Sequence, residues 1–518
     1  MINHSSITRT ARRTKLLSLL RDAATGSVVL AIAGCMVSTH PLTTAEQNKQ
    51  IAHDRATMFA DQEPATQPIS MAEAMARAIK YNLDHRLKLM EEAVAQRQLD
   101  LSNYDLLPRL TLAAGYTGRN NFPAASSEDV FTHQQSLAPS TSSDKVLRTA
   151  DLGFTWNILD FGVSYYQAQE QADRTLILGE RRRKVLHSLM QQVRQAYWLA
   201  LGAQELEVKV APLLRDVQAA LDDIHNVQRE KLRPPKETLY DERQLLETLR
   251  ELEAVRDELA EAKSHLAALM NLDPGSQFEL APADMTVPVL HAQLPQMLET
   301  ALLNRPELVE ARYNERISVT ETKRALARLM PGLQFEVGEH YDSNSFLVDK
   351  HWAAAGINVS WNLLNVLSAS KIRGTAQAEL EVARMQRMAL NMAALSQVYI
   401  AYRDYQGRSR QFELAQNLDE VDHKLLDQVR NEAQTDVQGK IGQIRAELSA
   451  LYSDLRLQQS YGALQNAYGS ILATLGIDPL PETVSGHDVA TLTKAVEQAN
   501  RERLDTLVGT TSAASGTP

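Results

Sequence analysis

The sequence predicts a mainly α-helical protein with a small transmembrane β-structure, built twice over from one helix–hairpin–helix plan. Landmark segments recur at a fixed interval along the chain. Four runs alternate apolar and polar residues over about the length that a tilted membrane strand needs. Between them lie very long stretches with apolar residues spaced by seven. Composition agrees, since aromatic residues are only 5% and the chain is rich in Ala, Leu, Glu, Gln and Arg.

The repeat is read from matched landmarks. Leu152-Gly-Phe-Thr-Trp-Asn-Ile-Leu-Asp-Phe-Gly162 has its counterpart in Ala355-Gly-Ile-Asn-Val-Ser-Trp-Asn-Leu-Leu-Asn365. Trp156 and Trp361 are 205 residues apart. So are Pro274 and Pro479, which close Asn271-Leu-Asp-Pro274 and Gly476-Ile-Asp-Pro479. Upstream, Pro108 and Pro331 are 223 residues apart, so 18 extra residues fall between Pro108 and Trp156. A chain of 518 residues would ordinarily suggest about three domains. The duplication points instead to two halves on one framework, 70–275 and 293–480, joined by 276–292.

The N-terminus reads as a leader. A basic stretch precedes the short apolar run Val28-Val-Leu-Ala-Ile-Ala-Gly34, the layout of a signal peptide over 1–34. Cys35 is the only cysteine, which excludes an intrachain disulfide. Ile32-Ala-Gly-Cys35 resembles the lipobox of bacterial lipoproteins, which implies acylation of Cys35. Met36 stands where that family carries Asp for inner-membrane retention, and this implies the outer membrane. A plain leader beside a free cysteine is the other reading. Net charge is −10. Residues 1–34 contribute +4, so a chain beginning at Cys35 carries −14, a poor balance for binding nucleic acid.

Residues 35–69 are polar and aperiodic and read as an extended linker. Helical spacing runs from Ser70 to about Asn103, through Met71, Ala74, Ala78 and Leu87. Pro108 ends it. Leu110, Leu112, Ala114 and Tyr116 mark one face of the first strand; Leu152, Phe154, Trp156 and Ile158 mark the second. Leu333, Phe335 and Val337 mark the third; Ala353, Ala355, Ile357, Val359 and Trp361 mark the fourth. Trp156 and Trp361 stand near strand ends, where interface aromatics belong. The Ser/Asn/Pro-rich connector from Arg119 to Lys145 reads as a long mobile loop. A helix of about 68 residues then runs to Lys231, which is on the order of 100 Å. Pro212 inside it is expected to kink or interrupt it.

Return helices carry heptads at Leu245, Leu252, Leu259 and Leu266, and at Ala450, Leu457, Leu464 and Ile471. Heptads alone also fit a solitary coiled-coil hairpin. Charge runs such as Glu180-Arg-Arg-Arg-Lys184 read most simply as solvated helix faces, with contact to lipid head groups as a second reading. The tail 481–518 reads as partly disordered. There is no phosphate-binding loop, no H-E-x-x-H, no paired-cysteine metal spacing and no nucleophile elbow, so no enzyme, cofactor or metal is expected.

Four strands cannot close a barrel, and open strand edges cannot sit in lipid. If the strands are membranous, several copies must share one barrel. In order and twofold repetition, these motifs resemble the outer membrane efflux protein family, the TolC-like channels, over nearly all of residues 70–480. The resemblance implies a homotrimeric α/β-barrel channel with twelve strands. It also implies a periplasmic adaptor (membrane fusion protein) docked at the helix tips and linked to an inner-membrane pump. The lipobox fits the family's lipid-anchored branch.

The tips would be Arg233-Pro-Pro-Lys-Glu-Thr238 and Gln434-Thr-Asp-Val-Gln-Gly-Lys-Ile-Gly442. Adaptor contacts would then fall on Arg233, Pro234, Pro235 and Lys236, and on Thr435, Asp436, Gly439 and Lys440. Where some members carry an acidic constriction, this chain has Gly442 and Arg445. An Arg445 ring would disfavour cations, although an interhelical ion pair also accounts for Arg445. The alternative function is a lipid-anchored periplasmic coiled-coil scaffold or adaptor. The Cys35→Ser variant is expected to take up no labelled fatty acid in growing cells. Undiminished labelling would refute the lipobox.

Overall fold

A computed structural model of the protein describes residues 39–60, 62–136, 138–230, 232–273, 275–290, 292–432, 437–481 and 483–508. Residues up to 61 form one compact unit and those from 62 onward another. Cys35 lies outside the described residues.

In the first unit the expected extended linker is in part a helix, α1 (Thr44–Met58). Its residues are almost all exposed, so it carries no apolar stripe for periodicity to find. A capping box starts it. The Glu46 backbone N–H donates to Thr43 Oγ1 at 3.3 Å, and the Thr43 backbone N–H donates to Glu46 Oε2 at 2.8 Å.

The second unit contains both repeats. Each half opens with two helices, α2 (Met71–Tyr81) and α3 (Leu83–Tyr104), then α6 (Leu294–Asn304) and α7 (Pro306–Ala327). The breaks fall at Asn82 and Arg305, which share the 223-residue offset of Pro108 and Pro331. Asn82 caps the second helix of its pair by accepting from the His85 N–H at 3.2 Å. The strands β1 (Arg109–Gly118), β4 (Val146–Asn157), β5 (Gly332–Asp342) and β6 (His351–Ser360) form one antiparallel sheet in that order. Between β1 and β4 lies a small ladder of β2 (Ala124–Ala125) and β3 (Ser140–Thr141). The long helices are α4 (Ile158–Arg229) and α8 (Asn365–Glu432), with return helices α5 (Pro235–Leu269) and α9 (Val437–Leu475).

Chain connectivity makes the helical layer repeat the order of the sheet. α3 feeds β1, β4 feeds α4, α7 feeds β5 and β6 feeds α8. The helices pack in the same sequence, α3 on α4, α4 on α7 and α7 on α8. The run Arg181–Lys184 lies in this layer, with Arg181 and Lys184 exposed and Arg182 and Arg183 half-buried, and each of the four meets a carboxylate. Arg181 pairs with Glu310 at 2.7 Å, Arg182 with Glu92 at 2.7 Å, Arg183 with Asp478 at 2.9 Å and Lys184 with Glu307 at 3.3 Å. Consecutive helical residues point in different directions, so one short run reaches three neighbouring segments.

Further along, α9 packs against both α8 and α4, and α5 packs against α4. The two hairpins therefore lie side by side, which excludes the solitary hairpin. Leu245, Leu252, Leu259 and Leu266 are all buried, as are Ala450, Leu464 and Ile471, with Leu457 partly so. Each fully buried leucine stabilises by roughly 1.5–3 kcal/mol. α4 runs through Pro212 without interruption. Tertiary packing on α5 and α9 holds both sides of the missing hydrogen bond.

The joint 276–292 crosses the core in extended form, and helix side chains satisfy its backbone. Gln204 brackets Leu280, donating to its carbonyl and accepting from its N–H, each at 3.0 Å. Tyr197 donates to Ala281 O at 3.0 Å and Tyr461 to Thr286 O at 2.8 Å. Tyr405 donates to Pro288 O. Burial pushes the Tyr197 phenol up to about 12. Trp198 packs edge-on against Tyr461 at 4.6 Å between centroids, and Phe412 lies 5.1 Å from the same ring. The segment expected to be a partly disordered tail includes α10 (Val489–Val508), which packs on α2 and buries Val489, Leu492 and Val496.

The closing motif Gly476-Ile-Asp-Pro479 has a physical role. Gly476 has φ +70°, and a Cβ there would sit 2.5 Å from the Asn304 carbonyl oxygen. That turn delivers Asp478 to Arg183 (Nε at 3.0 Å, Nη2 at 2.9 Å) and to His187 Nε2 at 2.8 Å. Gly476→Ala is expected to destabilise the fold by about 2 kcal/mol or more. The check is an earlier thermal loss of helical circular dichroism, with Asn271→Gly, at the equivalent left-handed turn of the first half, close to unchanged.

Candidate functional site: an open-edged sheet and two helix tips

Register assigns every side chain of the sheet to a face. One face carries the rows Leu110–Phe154–Val337–Ala355, Trp156–Phe335–Ile357 and Leu333–Val359. The other carries Arg109–Thr155–Glu336–Gly356, Asn157–Gln334–Asn358 and Ala113–Asp151–His340–Trp352. The apolar face departs from its pattern at Arg148, Glu339 and His351. On the polar face, His340 Nδ1 lies 2.6 Å from Asp151 Oδ1 and the imidazole stacks on Trp352 at 5.3 Å. Gln334 and Asn358 thus share the polar face, and Phe335 and Val359 share the apolar one. Trp156 is the last apolar residue of β4, and Trp361 follows β6 directly and donates from Nε1 to Leu329 O at 3.0 Å. Both indoles are exposed.

β1 and β6 are the edges of the sheet, and every residue in both strands is exposed. Each edge presents half of its backbone N–H and C=O groups with no strand beside them. At the far end of the sheet the last residues of the 119–145 connector bond to the turn between β5 and β6. The Ser345 hydroxyl donates to Asp144 Oδ1 at 2.9 Å, and Asn344 Nδ2 donates to Ser142 O at 3.0 Å. The ammonium of Lys145 sits 3.5 Å above the Phe122 ring.

The first tip lies where α4 meets α5. Pro234 is the N-cap of α5 and Pro235 its first residue, which suits a position with no N–H partner inside the helix. Arg233 pairs with Asp241 at 3.2 Å and Glu237 at 3.6 Å, while Lys236 is exposed. Leu232, Leu239 and Tyr240 around this turn are also exposed. The sequence reading missed them; apolar residues clustered beside a Pro-Pro break were the available signal. Gln228 and His225 hold the Glu242 carboxyl below its ordinary range.

At the second tip, Thr435 and Asp436 lie outside the described residues. Helix resumes at Val437, so Gly439, Lys440 and Gly442 belong to α9 and the turn is shorter than the expected 434–442 break. Arg445 is exposed and has no ion-pair partner among the described residues. The ion pair between α8 and α9 here is Arg430–Glu447 at 3.0 Å.

Further up the hairpins, Asp419, His423 and Asp454 place one ligand atom each within 4.8 Å of one another. Lys209 of α4 already pairs with Asp454 at 2.6 Å. The group therefore ties three helices through an ion-pair cluster.

No family model matches the chain, and no characterised protein matches it by sequence. Solved structures do match by shape. The outer-membrane channel OprN superposes with a TM-score of 0.59 at 18% identity, over 78% of this chain and 89% of that one. The CmeC outer membrane channel of Campylobacter jejuni gives 0.60 at 12%, over 85% and 94%. The outer membrane protein VceC of Vibrio cholerae gives 0.58 at 14%, over 78% and 96%. The chain therefore has the fold of these outer-membrane channels, a mainly helical body carrying a four-stranded sheet.

Cysteines placed singly at Gln334 or Asn358 are expected to react with a polar, membrane-impermeant thiol reagent in intact envelopes. Cysteines at Phe335 or Val359 are expected to stay unmodified, and the reverse pattern would refute the assignment of faces.

Proposed function

We propose that the protein is the outer-membrane channel of a tripartite efflux or type I secretion system. It acts as a passive export duct, and a partner pump supplies the energy. The observation that carries this reading is the sheet, with one largely apolar face, interrupted at Arg148, Glu339 and His351, and two unpaired edges. Such a sheet is stable in lipid only when the edges of neighbouring copies pair and close a barrel. Three copies give twelve strands, enough to enclose an aqueous lumen.

The helical layer supports the same assembly. Leu83, Leu87, Met90, Val94 and Leu101 form an exposed heptad stripe on α3, at one edge of the layer. Leu414, Leu418, Val421 and Leu425 form another on α8. These stripes find partners when copies stand side by side around a ring. Cys35, acylated, would anchor the chain to outer-membrane lipid at its periplasmic side.

The helical tunnel would then hang into the periplasm and end at the two tips. Arg233, Pro234, Pro235 and Lys236, with Thr435, Asp436, Gly439 and Lys440, would meet the periplasmic adaptor, which links the duct to the inner-membrane pump. Gly442 and Arg445 would line the constriction. The exposure of Arg445, with no ion-pair partner among the described residues, favours its lumen role. Conduction needs no cofactor and no chemistry at a catalytic centre. A periplasmic scaffold leaves the apolar sheet face unexplained.

Purified in mild detergent, the protein is expected to run as three copies and to pass ionic current across planar lipid films. Adaptor crosslinks are expected at Lys236 and Lys440. A monodisperse single copy without current would refute the channel, and crosslinks confined to mid-helix would refute the tips.

A further inference from the structure

Buried charges in folded proteins are paired, because an isolated ion in the interior loses its hydration with no return. This chain follows the rule at four buried charges. Arg77 pairs with Glu73 at 2.8 Å, Arg305 with Glu307 at 3.5 Å and Glu170 with Arg324 at 2.9 Å; Asp173 pairs with Arg316. Arg194 is the exception. It is 7% exposed, yet no carboxylate among the described residues lies within ion-pair distance. Its recorded contacts are neutral. Nη1 donates to Gln465 Oε1 at 3.3 Å, and the guanidinium lies 5.5 Å from the Tyr468 ring centre. The nearest acid of the closing motif, Asp478, is already taken by Arg183 and His187.

A small cavity lies beside this uncompensated cation. Arg194, His187 and Gln191 of α4 line it with Met75 of α2, Leu472 of α9 and Val496 of α10. It has about 30 Å³ of room, enough for a ligand in the size class of one or two waters. Gly469 lies beside the Arg194 side chain, where a Cβ would make ordinary contact with Cδ at 3.4 Å and Nε at 3.6 Å. A guanidinium has five N–H donors, and it remains charged at any pH at which proteins are folded. Apolar walls, a cation with spare donors and monatomic dimensions together define a halide site.

We propose that this cavity binds one chloride ion as the counter-ion of Arg194. The ion would hold α2 and α10 against the α4–α9 pair, at the point where the N- and C-terminal segments of the repeat framework converge. The proposal stands apart from the channel reading, because it needs only the fold of one chain.

Crystals of the full-length protein grown with bromide in place of chloride provide the direct test. An anomalous peak within hydrogen-bonding distance of the Arg194 guanidinium is expected. In solution the melting temperature is expected to rise by roughly 2 °C between gluconate and chloride at equal ionic strength. Arg194→Met should abolish that difference, since removing the cation removes the need for the anion. Should Arg194→Met fail to fold, Gly469→Val gives a second reading by adding bulk beyond a Cβ that already touches Arg194, with a weakened chloride response expected. Absence of the bromide peak, or a chloride response that is the same in the wild type and Arg194→Met, would overturn the proposal in favour of water alone.

Discussion

The structure turns on the backbone hydrogen bonds at the edges of β1 and β6. Inside one chain they have no partner, and in hydrocarbon each missing bond costs several kcal/mol. Surface side chains cannot repair this, because the groups at fault belong to the main chain. Only another strand edge can. The same edge condition passes from sheet to helices, because every strand continues directly into a helix and the helices keep the order of the sheet. The exposed stripes on α3 and α8 are therefore the helical form of the same unmet requirement.

The two repeats solve their contacts differently, and the difference marks where one copy ends. Within the chain, Asp478 of the second closing motif grips Arg183 and His187 of α4. The positions 205 residues further on in α8 are Met388 and Met392, both exposed. Asp273 of the first closing motif instead accepts from the nearby Gly275 N–H at 2.9 Å. A polar latch thus secures the boundary between halves inside one chain, where it forms once on folding. Were copies to stand side by side, methionines would occupy the corresponding boundary, and their flexible thioethers adapt to a neighbour's surface without demanding a matched charge.

Much of this was legible in the sequence because periodicity reports one-sided burial. The four strands and the heptads of α5 and α9 declared themselves in this way, and the twofold repeat fixed their order. Elements without a one-sided face were not legible. α1 is exposed all round, so only the Thr43–Glu46 capping pair marks it. α10 does carry Val489, Leu492 and Val496 at helical spacing, but it adjoins a low-complexity tail that drew the reading toward disorder. Charge was the least legible quantity. The Arg181–Lys184 run and Arg194 look alike in sequence, whereas in the fold four of these five cations meet carboxylates on other segments and the fifth is buried without one. Partners distant in sequence decide that outcome, and no local pattern encodes them.

Where such a duct would open follows from the distribution of cohesion along its length. The middle of the helical body is held by Tyr197, Trp198, Phe412 and Tyr461, by the joint threaded through them, and by α2 and α10 packed outside. Towards the tips the buried set narrows to single heptad positions such as Leu245 and Ile444. There Arg430–Glu447 joins α8 to α9 and Arg233–Asp241 ties the first turn to α5, and partly exposed pairs of this kind contribute about 1 kcal/mol or less. Local opening draws on the least stable parts of a fold. Separating the tips therefore costs far less than disturbing the aromatic girdle above them, and an adaptor binding exposed Leu232, Leu239 and Tyr240 would have apolar area to offset that cost. Such a gradient would permit movement at the tips while the rest of the duct stays fixed.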